Sequence, residues 1–252
     1  MPGMLCLVPT PIGNLGDISP RARAALSDAD FIAAEDTRVT RKLLNYLEIK
    51  KPLVSYYEHN KHESGPKIVE RLLEGQTCAL VSDAGSPAIS DPGEDLVRLC
   101  ADAGMTVCAI PGPCAAITAL SISGLPTGRF CFEGFLSTNK KNRQAHLDGL
   151  RQEHRTMIYY EAPHKLRQTL ADLESAFGPG RAVSLCRELT KLHEEVVRTT
   201  LCGARALYDA QEPRGEFVLI VAGAAEQAAE APSQAQLLAL VQEQLAQGLS
   251  RK

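Results

Sequence analysis

From Leu5 to Gly124 short apolar runs alternate with longer amphipathic ones, without a break in the pattern. "LCLV", "DFIAAED", "LVSYY", "CALVSDAG" and "TVCAIPG" read as strands. Between and after them "SPRARAALSDA", "TRVTRKLLNYL", "ESGPKIVERLLEG", "PGEDLVRLCADAG" and "CAAITALSISG" read as helices. Ser19 and Pro20 sit at the N-cap and first helical position of the first of these, and Gly75 and Gly104 close two others. Successive strands joined through helices pair in parallel, and strands this apolar need cover on both faces. The expected fold class is therefore α/β, with a parallel sheet between two layers of helices.

The alternation changes near Leu125. "PTGRFCFEGFL" is a turn followed by a strand, "TMIYYEA", "AVSLCREL" and "EFVLIVAG" are strands, and "HKLRQTLADLESAFG" is a helix. At 252 residues the chain is long enough for two cores. The division expected is an N-terminal α/β domain over residues 1–128 and a second α/β domain over 129–224. Residues 225–252 read as an Ala/Glu/Gln/Pro-rich linker and the start of a helical element.

Three loops follow strands of the first domain: "PTPIGNLGD", "SDAGSPAISDPG" and "PGPCAA". In open parallel sheets ligands bind outside the carboxyl ends of the strands, where small residues let a ligand lie against bare backbone. The first loop lacks the G-x-G-x-x-G pattern, and G-x-x-x-x-G-K-[ST] is absent throughout. The second and third loops hold no Lys or Arg but do hold Asp83, Ser86, Ser90 and Asp91. Such a pocket is ill suited to phosphate and better suited to an adenosine carrying a cationic tail.

Composition excludes some partners. The net charge is −3 and the isoelectric point about 6.1, so any nucleic acid has to be met by a local basic patch. No apolar run approaches the ~18 residues of a membrane span, and no secretory leader is recognisable, which points to the cytoplasm. None of the eight cysteines forms a C-x-x-C pair, so reduced, partly buried thiols are expected rather than a metal site.

"LVPTPIGNLGDIS", "AAEDTR", "LVSDAGSPAISDPG", "IPGPCAAITAL", "GLPTGRFCFEGFL", "YYEAPHKL" and "CRELTK", in this order, closely resemble one family. It is the ribosomal small-subunit RNA 2′-O-methyltransferase I family, within the tetrapyrrole (corrin/porphyrin) methylase superfamily. The resemblance covers residues 5 to about 222. It implies two α/β domains with S-adenosylmethionine in the cleft between them, S-adenosylhomocysteine as product, no metal, and a homodimer. It also implies a substrate: the ribose 2′-hydroxyl of a cytidine in the decoding centre of 16S rRNA, met within the small subunit. Family members usually continue into a small C-terminal helical domain.

Carried over residue by residue, the resemblance places the cofactor against Pro11, Ile12 and Gly13 of the first loop. In the second loop it selects Asp83, Ala84, Gly85, Ser86, Pro87 and Ile89. Gly85-Ser86-Pro87 stands where the superfamily has G-D-P, leaving Asp83 to supply the acid. The third loop contributes Pro113, Cys114 and Ala115, with Cys114 at a usual serine position. The second domain contributes Tyr160, Glu161, Leu189 and Thr190.

Deprotonating a hydroxyl calls for a carboxylate, and Glu35 and Asp36 stand at the end of the second strand. Asp36 is equally placed to cap the following helix. Arg38 and Arg41 follow, positioned for RNA phosphate. "STNKKNRQAHLDGLRQEHR" has five Lys/Arg against two acids. It reads either as a solvated connection or as an RNA-facing loop through Lys140, Lys141 and Arg143. A tetrapyrrole methyltransferase and a non-catalytic ribosome-assembly protein are the alternatives.

Overall fold

A computed structural model describes residues 3–225; the expected linker and helical element lie, beyond Ala225, outside the described residues. The first five strands are β1 (Met4–Leu7), β2 (Phe31–Ala34), β3 (Leu53–Ser55), β4 (Cys78–Val81) and β5 (Thr106–Ala109). They form one sheet in the order β3-β2-β4-β1-β5, and every pairing is parallel. The helices are α1 (Pro20–Asp28), α2 (Thr37–Tyr46), α3 (Lys61–Leu73), α4 (Glu94–Asp102) and α5 (Ala115–Ile122).

The period of two along each strand decides which helix covers which face. Ile32 and Ala34 of β2, with Cys6, Ala79 and Val81, pack against Leu26 of α1 and Leu44 of α2. Phe31 and Ala33, with Leu5, Cys78 and Leu80, pack against Ile68 and Leu72 of α3 and Leu96 of α4. The caps follow the sequence: Ser19 accepts from the Ala22 amide, with Pro20 in the first turn.

The second unit is a mixed sheet. Its strands are β6 (Phe130–Phe135), β7 (Thr156–Glu161), β8 (Ala182–Arg187), β9 (Glu195–Thr200) and β10 (Phe217–Val221), in the order β6-β7-β10-β8-β9. Only β6 and β7 run parallel; β10 is antiparallel to both β7 and β8, and β8 to β9. Helices α6 (Lys140–Gly149), α7 (Pro163–Phe177) and α8 (Leu201–Ala210) complete it. Leu147, Leu166, Leu170, Leu173 and Leu201 pack on one face of this sheet.

Its other face is covered by α5, which precedes β6 in sequence. Ala116, Ala119 and Leu120 pack against Ile158, Cys186, Val218 and Ile220. At the far end of α5, the Arg198 guanidinium on β9 donates to the carbonyls of Ser123 (3.1 Å) and Ile122 (2.5 Å). Thus α5, which follows the last strand of the parallel sheet, is built into the core of the mixed one.

Three segments differ from the sequence expectation. The basic stretch after β6 is not a loop: Asn139 accepts from the Asn142 amide and starts α6, whose polarity hides a single fully inward position, Leu147. Strand β9 and helix α8 carry no strong apolar run. The edge position of β9 leaves none of its residues buried, which weakens the apolar signal that marks a strand.

Candidate active site

The three strand-end loops are stitched together. Thr10 and Gly85 exchange backbone hydrogen bonds at 2.9 and 3.0 Å, and the Thr10 hydroxyl donates to the Ser82 carbonyl at 3.2 Å. Ser86 Oγ donates to the Pro113 carbonyl at 3.0 Å. A serine where an acid stands in related loops therefore acts as a tie between the second and third loops. From the third loop the link continues into the other unit, for the Ala116 amide donates to the Tyr160 hydroxyl at 3.1 Å.

Between the units lies a cavity of about 530 Å³. The parallel sheet contributes Ile12 after β1, Glu35 after β2, Asp83 to Ser86 and Ile89 to Asp91 after β4, and Cys114 and Ala115 at the start of α5. The mixed sheet contributes Phe135 from β6, Tyr160 to Pro163 from β7, Cys186, Leu189 and Lys191 from β8 and its loop, and Glu216 to Val218 from β10. The size is that of a site for a nucleoside-sized ligand.

Its charge is acidic. Burial pushes the Glu35 carboxyl above its ordinary value, and the nearby Asp91 and Asp83 push it the same way. Asp91 and Asp83 are themselves raised, each chiefly by burial. Lys191 is the single basic side chain among the described lining residues, and it is engaged by Glu188 at 2.9 Å and Glu216 at 2.7 Å. Such a wall favours a cation and repels phosphate. S-adenosylmethionine, with its sulfonium and ammonium charges and no phosphate, fits this donor set.

Of the residues expected to hold cofactor, Ile12, Asp83, Ala84, Gly85, Ser86, Ile89, Cys114, Ala115, Tyr160, Glu161 and Leu189 line the cavity. Pro11, Gly13, Pro87, Pro113 and Thr190 do not line it. Pro113 and Gly13 act on the walls from behind: Pro113 receives the Ser86 hydroxyl, and Gly13 abuts Thr190 and Lys191 of the facing unit. Glu161 is buried, with one carboxylate oxygen accepting from the Thr169 hydroxyl (2.5 Å) and the other from the Ala162 amide (2.8 Å). That geometry makes it a brace for the end of β7.

The two expected carboxylates separate. Glu35 lines the cavity, whereas Asp36 caps α2 by accepting from the Arg38 amide at 2.8 Å. The Arg38 side chain also holds Asp36, at 2.7 Å, and the hydrogen bonds from Arg38 pull its carboxyl down to about 2. A carboxylate so committed is a feeble proton acceptor. Arg38 and Arg41 are exposed on α2, and Lys140 and Lys141 on the first turn of α6. Arg143 is instead half-buried and pairs with Asp172 of α7 at 2.8 Å, so it serves packing rather than an RNA surface.

Sequence reasoning missed Phe135, Lys191 and the Glu216–Val218 edge. Nothing local marks them: the antiparallel pairing of β10 with β7 and β8 brings the Glu216–Val218 edge to the cavity, the parallel pairing of β6 with β7 brings Phe135, and Lys191 is drawn in from the loop after β8 by Glu216. Backbone conformation marks two of the walls. Ala88 (φ 67°) and Ser90 (φ 63°) flank Ile89, and Glu188 (φ 53°) and Thr190 (φ 65°) flank Leu189. Left-handed non-glycine residues cost of order 1–3 kcal/mol each and concentrate at functional sites.

The bond from Ala116 to Tyr160 gives a direct test of how the units are joined. Tyr160→Phe keeps the ring and leaves the amide without its partner, at about 1 kcal/mol. The expected result is a melting temperature lower by about 2–4 °C, with weaker cofactor binding in the same variant, read by calorimetry.

A parallel sheet and a mixed sheet closed over one cavity define a class: a two-sheet α/β fold with its site between the sheets. Diphthine synthase matches with TM-score 0.65 at 14% identity, over 87% of this chain and 90% of that one. The methyltransferase CobJ matches with TM-score 0.65 at 21% identity, over 88% and 95%. A protein of Synechocystis sp. named Ribosomal RNA small subunit methyltransferase I is 49% identical over 99% of this chain and 89% of its own length. Its namesake in Escherichia coli O157:H7 is 47% identical over 96% and 86%. Residues 4–204 match the family Tetrapyrrole (Corrin/Porphyrin) Methylases, and the chain belongs to that family, in the branch of these ribosomal RNA small subunit methyltransferase I relatives. Among the described residues no helix is long and apolar enough to cross a membrane.

Proposed function

We propose that this chain is an S-adenosylmethionine-dependent methyltransferase of 16S rRNA, acting on the ribose 2′-hydroxyl of a cytidine in the decoding centre, as a cytoplasmic homodimer. The observation that carries the cofactor is the acid-lined cavity between the two sheets, with Glu35, Asp83 and Asp91 on one side. Near-full-length similarity to proteins named for small-subunit rRNA supports rRNA as the substrate, and the cytidine 2′-hydroxyl rests on the resemblance of the sequence motifs.

S-adenosylmethionine, when bound, supplies a methyl group on a sulfonium. The first-loop and second-loop residues Ile12 and Asp83 to Ser86 hold it, with Ala115, Tyr160 and Leu189 opposite. The chain's own work is to orient, exclude water and take a proton. Glu35 accepts the proton of the attacking hydroxyl; its partial burial and the neighbouring carboxylates make it a stronger base than a solvated glutamate. Exposed Arg38 and Arg41 near the Glu35 edge, and Lys140 and Lys141 on α6, meet phosphates.

Incubating the protein with small ribosomal subunits and labelled cofactor, then mapping the modified nucleotide, tests this reading. Label on a base atom, on another RNA, or on a tetrapyrrole in place of the cytidine ribose overturns it. Replacing Arg41, Lys140 and Lys141 together with alanine is expected to weaken subunit binding and flatten its salt dependence, by about one unit of log–log slope for each phosphate no longer neutralised. Cofactor affinity, measured in parallel, stays unchanged.

A further inference from the structure

Two large apolar side chains of the cavity wall stay open to solvent: Phe135 is 57% exposed and Ile89 49%. The fold does not need either for its cores, yet it fixes both. Phe132 and Phe135 are three residues apart and in a regular strand face opposite sides. A bulge between Phe132 and Gly134 breaks the register of β6 against β7, with Gly134 at φ 63°. The extra residue, Glu133, is drawn off to His146 of α6 at 2.7 Å. Phe132 and Phe135 consequently both meet Tyr160 edge-on, with ring centroids 5.1 and 5.5 Å apart. Bulges next to sites re-aim side chains in this way.

Ile89 comes from the other unit, on a loop bent by left-handed Ala88 and Ser90. The two pieces are neighbours: a Cβ at Gly134 would lie 3.5 Å from Ser90 Oγ. An aromatic ring and an aliphatic side chain thus stand at the same cavity from opposite units, each set by an unusual backbone.

We propose that Phe135 and Ile89 form the two sides of a slot that receives the nucleobase of the substrate nucleotide; this rests on the RNA reading of the site. In a ribonucleotide the 2′-oxygen and the base sit on adjacent ribose carbons. A hydroxyl delivered to Glu35 therefore brings its base to the cavity mouth. The base has to leave its stack for this, and an unstacked base is held by aromatic and apolar faces. The slot is a positioning device, since neither side chain carries a group that takes part in bond making.

Phe135→Ala, Ile89→Ser and Phe135→Trp test this against wild type, with small subunits as substrate and cofactor affinity measured by calorimetry. The alanine and serine variants are expected to raise KM for subunits about tenfold each, the factor that follows from removing one face on which the base stacks. Cofactor affinity stays unchanged in Phe135→Ala, and Phe135→Trp keeps the wild-type KM; Ile89→Ser, at a residue that also lines the cofactor cavity, loses more in subunit KM than in cofactor affinity. An unchanged KM overturns the slot. So does an equal loss of cofactor affinity, which assigns the ring to the adenine. A change in oligomeric state by light scattering overturns it too, by assigning the pair to a subunit interface. A wild-type protein that binds cofactor yet leaves small subunits unmodified refutes the functional reading itself, whatever the variants do.

Discussion

Glu35→Gln is expected to slow methyl transfer by about 10²–10⁴-fold, the usual contribution of a positioned general base, with cofactor affinity retained. The amide keeps the shape of the carboxylate but accepts no proton. Asp36→Asn, one residue on, is expected to spare the transfer step, because that carboxylate caps α2 and is held by Arg38. Equal losses from both replacements, or none from either, refute Glu35 as the base.

The pH dependence adds a second readout. The Glu35 carboxyl is raised, so the activity limb that it governs lies above the ordinary carboxylate range, with activity rising as pH rises through it. Stability moves the opposite way. A carboxyl raised in the folded state binds its proton more tightly there than in the unfolded chain. Stability then falls as pH rises from the ordinary value through the raised one, and the deficit persists above it. Glu35→Gln removes the deficit, so the variant is expected to melt higher than wild type at neutral pH while being far less active. A residue kept for folding would not show that combination.

The second large effect is expected at Gly13. A Cβ there would lie 2.5 Å from Lys191 Cγ, 2.9 Å from Thr190 Oγ1 and 3.1 Å from the Leu189 carbonyl oxygen. None of these atoms yields easily. Lys191 is tied to Glu188 and Glu216, and Thr190 is held by its amide donating to Glu194 at 2.6 Å. Gly13→Val forces the first loop away from the facing loop, at a cost of about 1–3 kcal/mol. If cofactor binding needs the two walls at their present separation, affinity falls by about 5–150-fold, the equivalent of that energy. Calorimetry with S-adenosylmethionine reads it; unchanged affinity shows that the first loop does not set the width of the site.

The parallel half of the fold was legible because its information is local. Ser19, Pro20, Gly75 and Gly104 mark helix ends within a few residues, and each strand is an apolar run of its own. The three cavity loops followed from the rule that such sheets bind at their carboxyl edge, and Ile12, Asp83 to Ser86, Cys114 and Ala115 stand there. The mixed half was less legible. Sequence periodicity does not say that β10 inserts between β7 and β8, and so it could not bring Glu216 to Val218 to the cavity. Nor could composition separate Lys140 from Arg143. Helix α6 has to form before one side of the basic stretch faces Asp172 and the other faces water.

The placement of α5 bears on how the molecule can move. This helix is embedded in the core of the mixed sheet and gripped at its end by Arg198, so it travels with that sheet. The covalent link between the two halves is then the five residues Ile110–Cys114, between β5 and α5, rather than the longer segment after α5. Those residues also carry the carbonyl that receives Ser86 and the cysteine that faces the cavity. Any swing of one half against the other pivots on the wall of the cavity itself, so opening the cavity and reshaping its lining are one movement.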